Sequence, residues 1–224
     1  MLEPWRAVAG VIERLVKNQV NYWVGFGLDV TLSLAGIALA FATHGVSVAT
    51  LATLTAGVLA YTFIEYAIHR WIYHGPRSPM NEVHTGHHAH ASEMVGAPFF
   101  APPVLSTINF LGAWLVVPAP LAAAFASTIL ISYECQGLIH AIAHAWPGTR
   151  TLRSGGFFRA MRRHHMIHHH TGGDVNFGFT TALWDRVFGT YAKHAKRSVT
   201  DTDSPTAARD RLHEAVTVSP LIQA

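Results

Sequence analysis

Four long stretches of the chain are apolar at nearly every position and not on one face only. Residues 22–41 run for twenty residues with a single charge, Asp29, and about twenty apolar residues suffice to cross the hydrocarbon of a bilayer. Residues 43–48 make a tight turn. A second run follows over 48–66, carries Glu65 near its end, and continues at helical spacing through Ile68, Trp71 and Ile72. The third and fourth runs, 98–117 and 119–139, are divided by Pro118-Ala119-Pro120. Pro102 and Pro103 start or kink the third, and Glu134 interrupts the fourth. This pattern predicts an all-α integral membrane protein whose four transmembrane helices form two hairpins.

Residues 1–20 are patterned differently. Trp5, Val8, Ile12, Leu15 and Val16 recur at helical spacing, with Arg6, Glu13, Arg14 and Lys17 between them. An amphipathic helix lying on the membrane surface is expected there, and the pattern is not that of a secretory signal. Residues 21–194 form the membrane domain. Residues 195–224 read as a polar tail with no motif.

Charge supplies orientation. Three of the sixteen Lys and Arg precede the first span, Arg70 and Arg77 follow the second, and eleven lie beyond residue 144. None falls in 42–47 or 118–120. The positive-inside pattern therefore predicts both termini and residues 67–97 in the cytoplasm, as a helical cap over the spans. A net charge of only +3 offers no case for nucleic-acid binding. Cys135, the only cysteine, excludes an intramolecular disulfide framework and cysteine-rich metal sites.

Candidate chemistry comes from sixteen histidines, most of them grouped. His84, His87 and His88, and again His165, His168 and His169, stand at i, i+3, i+4, which points three rings to one side of a helix. His140 and His144 make an i, i+4 pair. His69 and His74 are five apart, roughly 140° around an α-helix, a poor arrangement for one ion but suitable for reaching two adjacent ions. These ten rings exceed what one tetrahedral or octahedral ion accepts, so two metals follow, and neutral imidazoles favour first-row transition metals over Mg or Ca. Ligand type alone leaves iron, zinc, copper and nickel open. A cytosolic metal site over apolar spans points to oxidation of a lipid C–H bond, chemistry that side-chain acids and bases cannot perform. A membrane metal transporter or sensor is the alternative of a different class, disfavoured by spans whose main ionisable residues are Asp29 and Glu134.

The stretches "EYAIHRWIYH", "HTGHH", "HAIAH", "RRHHMIHH" and "NFGFTTALWDRVFGTY" together resemble the membrane fatty acid hydroxylase family, or sterol desaturase superfamily, over about residues 58–191. The sphingolipid (ceramide) fatty-acid 2-hydroxylase branch is the most similar. The resemblance implies a non-haem diiron centre, O2 as cosubstrate, and hydroxylation of a fatty-acyl chain in a membrane lipid. It also implies a separate cytochrome b5-like or ferredoxin-type electron donor, and zinc as a substitute for iron on isolation. The implied ligands are His69, His84, His87, His165 and His168 for one ion, and His74, His88, His140, His144 and His169 for the other. Glu65, Asp174 and Asn176 are expected to orient ligand rings. His164 and His170 flank the matched positions and are expected at the surface. Carotenoid or sterol hydroxylation, or acyl desaturation, remain compatible with the same cluster.

Overall fold

A computed structural model describes residues 5–93, 95–144, 156–171 and 173–194. The chain divides into two units, residues 1–193 and 194–224, and of the second only His194 is described. The tail expected over 195–224 therefore lies outside the described residues.

All regular structure among these residues is helical. The elements are α1 (Trp5–Val16), α2 (Gln19–His44), α3 (Val48–Ala67) with a π-helical continuation (Ile68–Tyr73), α4 (Pro79–Ala89), α5 (Ala101–Trp114), α6 (Ala119–His144), α7 (Gly156–His170) and α8 (Leu183–Val187). Local sequence sets their ends. The Asn18 side chain caps α2 by accepting from Asn21 N at 3.1 Å, and Gly45, at φ 60°, stops it. Ser47 then caps α3 by accepting from Thr50 N at 3.2 Å, so the α2–α3 hairpin is closed by three residues. Ser78 caps α4 in the same way, with Pro79 in its first turn.

Among the described residues three helices are long and apolar enough to cross a membrane: α2, α3 with its π continuation, and α6, each 26 residues or about 39 Å. Only 22% of the apolar window of α2, and of α3, is covered by the rest of the protein, so the exposed Leu32, Leu34, Leu39, Val58 and Leu59 call for a lipid solvent. The third of the four apolar runs behaves differently. Prolines at its start and the Pro118-Ala119-Pro120 break confine α5 to 14 residues, about 21 Å, short of the roughly 30 Å hydrocarbon layer.

The bundle is organised around α6, which packs against α2, α3, α5 and α7. Its buried face is largely small residues: Ala122, Ala124, Ala126, Ser127 and Thr128. Small residues let helices approach closely where lipid tails remove the hydrophobic reason to associate. A Cβ built on Gly57 of α3 falls 2.7 Å from Thr128 Cβ and 2.9 Å from Phe125 O. Outside the bundle, α1 packs along α4. Asn21 pins the connection into α5 by donating to Ala97 O at 2.8 Å and accepting from Phe99 N at 2.9 Å. The histidine-bearing ends of α3 and α6 meet α4 and α7 at one end of the bundle.

Gly57→Ala is expected to force α3 off α6, because its nearest obstacle includes backbone, and to destabilise the bundle by about 1–3 kcal/mol. Thermal unfolding in detergent, with a lowered midpoint expected, measures it.

Candidate metal centre

The π-helical turn solves a spacing problem. On an α-helix His69 and His74 diverge, but an i→i+5 ladder returns the chain to nearly the same side after five residues. The defining bond, His74 N to His69 O, is 3.1 Å. Both rings consequently reach the same partner: His84 Nε2 lies 3.1 Å from His69 Nε2 and 3.0 Å from His74 Nε2. The α-helical reading has the two rings reach different ions; here they stand in one group of donors.

The ten rings gather into two adjacent groups. In the first, His69, His74, His84, His88 and His168 each offer a nitrogen within 4.8 Å of the others. Four of these Nε2 atoms close a ring, His84 to His74 to His168 to His88 and back, at 3.0, 3.1, 3.1 and 3.1 Å. The second group holds His87, His140, His144 and His165. His140 Nε2 stands 3.0 Å from His87 Nε2, and His165 Nε2 stands 2.7 Å from His144 Nε2. His169 lies between the groups, its ring stacked on that of His88 of the first at 4.1 Å, and 4.4 Å and 4.6 Å from those of His165 and His144 of the second. Its Nε2 is buried with no hydrogen-bond partner among the described residues, as is His87 Nδ1. The grouping departs from the division the resemblance implied: His74 and His88 join His69, while His87 and His165 join His140 and His144.

Such short Nε2 to Nε2 contacts suit a shared cation, and two of the rings are set to bind one. His69 Nδ1 lies 2.6 Å from Phe177 O, and His168 Nδ1 lies 2.7 Å from Val175 O. A carbonyl only accepts, so each Nδ1 carries the proton, and in the neutral ring each Nε2 is a bare lone pair. Where the Nε2 atom facing it at 3.1 Å is bare as well, the two lone pairs repel unless an ion lies between them. That spacing matches neighbouring ligands at right angles around an ion with bonds of about 2.1 Å, whereas a tetrahedral ion would spread them to about 3.4 Å. The donor set fits a transition metal of high coordination number.

Burial keeps the rings ready to bind. Desolvation, followed by the neighbouring rings, lowers His87 to about 3, His88 to about 4 and His169 to about 2. His168 falls to about 2 through burial, against an opposing pull from its bond to Val175 O. His84 and His165 are held well below the ordinary value by the same causes.

The segment 173–190 braces the rings. Asn176, at φ 56° and 1% exposed, donates to His164 O at 3.2 Å and Ala192 O at 3.0 Å and accepts from Ala192 N at 2.7 Å. It thereby fixes the two carbonyls on either side of it, those that orient His168 and His69. Glu65 touches the braces and not a ring: its carboxylate accepts from Phe179 N, from Thr180 N at 3.0 Å and from Thr180 Oγ1 at 2.6 Å. Asp174 is exposed at the rim, where its charge opposes the burial that lowers His74.

Sequence reasoning missed two contributors. Asp185, fully buried, accepts from Phe177 N at 2.8 Å, Gly178 N at 2.9 Å and Thr190 Oγ1 at 2.7 Å. His164 is buried too, its Nε2 3.1 Å from Asp185 Oδ2, and not at the surface as expected. Its position on α7, one residue before a ligand-bearing stripe, carried no signal that it faces inward. His170 is exposed. The ring of Phe179 wedges between the groups, 3.9 Å from His165, 4.7 Å from His140 and 5.7 Å from His69.

A fatty acid hydroxylase family model matches residues 54–190, more than half of the chain and the whole of this site. The chain belongs to the fatty acid hydroxylase family. It is 30% identical to a dihydroceramide fatty acyl 2-hydroxylase of Arabidopsis thaliana, over 60% of this chain and 58% of that one. It is 31% identical to a beta-carotene hydroxylase of a Paracoccus species, over 58% of this chain and 82% of the relative. A solved structure described as full-length scs7p, with only the hydroxylase domain visible, shares the fold at a TM-score of 0.60. It is 22% identical and covers 76% of this chain and 66% of its own. The chain thus spans less than three fifths of the plant ceramide-type relatives it matches.

Gly173, at φ +81°, packs against the His74 ring, and a Cβ there would meet Cε1 and stand 2.8 Å from Nδ1. Gly173→Ala is expected to weaken metal binding by the first group about 10- to 100-fold, read as bound metal per chain during titration with a chelator. Acid should act on the metal-free fold with a definite sign. Folded-state values below the ordinary 6.5 mean that the unfolded chain takes up protons first. Stability is therefore complete above pH 6.5 and falls as the pH drops from there through about 4, the value of His88. Denaturant midpoints across that window, rising with pH, are the check.

Proposed function

We propose that this protein is an O2-dependent lipid hydroxylase, with one redox-active ion, iron in the working enzyme, held by each histidine group. The observation that carries the reading is the pair of inward-facing imidazole clusters at the end of long apolar helices in a fatty acid hydroxylase chain. His69, His74, His84, His88 and His168 would hold one ion. His87, His140, His144, His165 and His169 would hold the other. When bound, the metals supply O2 activation and removal of hydrogen from an unactivated C–H bond.

The remaining work falls to the chain itself. The bundle admits a lipid tail from the membrane and orients one methylene toward the histidine end. Phe179, wedged between the groups, excludes water from the reacting carbon. His69 and His168 do not move protons, because their Nδ1 atoms are tied to the carbonyls of Phe177 and Val175. α5 together with its flanks serves as a fourth, shorter membrane segment, and α1 lies along the surface with Val8 and Val11 exposed. The distribution of basic residues supports both termini and the site on the cytoplasmic side. A cytochrome b5-like or ferredoxin-type donor delivers the electrons.

The substrate class proposed is an acyl lipid of the ceramide type, in keeping with the plant relatives. A carotenoid ring is the second reading, favoured by the 82% coverage of the Paracoccus beta-carotene hydroxylase.

Lipid mass spectrometry of cells with and without the protein tests this. The expected product has gained one oxygen, and it disappears in the His165→Ala, His169→Ala double variant. A product that has lost two hydrogens would redirect the assignment to desaturation. Vesicles that accumulate metal through the protein, with no oxidised lipid, would replace the enzyme reading with transport.

A further inference from the structure

Beside the histidine groups lies a hydrogen-bonded chain that ligand positioning alone does not require. Tyr66, on the last turn of α3, is fully buried. Arg70 NH1 donates to its phenol oxygen at 2.7 Å. A guanidinium only donates, so it takes an acceptor position of that oxygen and leaves the phenol proton pointing elsewhere. The remaining neighbour is Thr190 Oγ1, at 3.1 Å. Thr190 Oγ1 in turn donates to Asp185 Oδ1 at 2.7 Å. Every link therefore has one direction, from phenol to hydroxyl to carboxylate.

The same ring is the middle of an aromatic path. Its centroid is 6.0 Å from that of Phe177, edge to face. Phe177 in turn lies 5.8 Å from His69, 5.5 Å from His74 and 5.6 Å from His168, all in the first histidine group. In the other direction Trp71 stands 6.2 Å from Tyr66 and is 48% exposed. A single phenylalanine thus separates a tyrosine with a built-in proton acceptor from the ligand rings, and a single further ring separates it from the surface.

We infer that Tyr66 is a redox-active residue that gives one electron to the oxidised metal centre when no lipid is in place to react. The inference rests on the oxygen chemistry proposed above, which supplies the oxidant. One electron passes from the Tyr66 ring across Phe177 to the centre, which is reduced by one unit. The phenol proton moves to Thr190 Oγ1, and the Thr190 proton moves to Asp185 Oδ1. The phenol O–H bond breaks, a carboxyl O–H bond forms, and a neutral tyrosyl radical is left. Arg70 makes this coupling compulsory. A fixed positive charge against the phenol oxygen opposes any tyrosine cation, so the electron leaves only if the proton departs toward Asp185, whose negative charge it neutralises. Trp71 and an external reductant then restore the phenol. The arrangement protects the histidines and Phe177, which stand next to the oxidant.

The test uses the full-length, iron-loaded protein in lipid-free detergent, mixed with O2 and a reductant and frozen for electron paramagnetic resonance. A tyrosyl radical is expected, narrowed when the protein carries ring-deuterated tyrosine and absent in Tyr66→Phe. Thr190→Val keeps the phenol but breaks the relay, and the radical yield should fall about tenfold. Peptide mass spectrometry supplies a second readout: oxygen adducts on Phe177 and the ligand histidines should accumulate in Tyr66→Phe exposed to O2 without lipid. Metal content and thermal midpoint equal to the parent's establish that the variants are folded. A radical that persists in Tyr66→Phe overturns the inference, and so does its absence from a parent protein that hydroxylates lipid. An iron-loaded protein inert to O2 overturns the proposed function along with it.

Discussion

Imidazole Nε2 atoms crowded to within about 3 Å of one another, with those of His69 and His168 bare, are the constraint on which this structure turns. Left alone they repel, and water would solvate them separately. The fold holds them together from two sides. Helices α4, α6 and α7 and the end of α3 set the height and direction of each ring, while the carbonyls of Val175 and Phe177 fix which nitrogen of His168 and of His69 is unprotonated. A cation turns that repulsion into coordination, so the free energy stored in the crowded site is returned as binding.

Much of the remaining structure is scaffolding for that arrangement. The small-residue face of α6 draws α2 and α3 close, which brings the ends of α3 and α6 to one place. The π-helical turn rotates His74 back over His69. Asp185 and Glu65, from opposite ends of the matched region, tie down the amides of residues 177–180. Their carboxylates are buried because they replace the water that those backbone groups would otherwise need.

A good part of this was legible in the chain. The i, i+3, i+4 spacing of His84, His87 and His88 and of His165, His168 and His169 carried both the helices and the convergence of rings, since a helix has only one way to place those positions. The distinction between two groups was less accessible. Reading His69 and His74 on an α-helix placed them apart, and nothing in "HRWIYH" announces a π-helical turn, which is a compromise imposed by tertiary contacts. Apolar length identified three spans directly. At α5 the prolines at both ends cut a run of suitable composition to four turns. Asp185 and His164 stayed hidden for a related reason: their value lies in backbone amides and a partner 21 residues away, and no local pattern encodes such pairs.

The allocation of rings between the groups has a mechanical corollary. α4 sends His84 and His88 to one group and His87 to the other, while α7 sends His168 to the first and His165 to the second. The gap between the two clusters is therefore gauged twice over by the pitch of an α-helix and not by any loop. A pair of ions seated there would keep a constant separation while the loops around them flexed, as two bolts through the same pair of rails stay in register when the decking shifts.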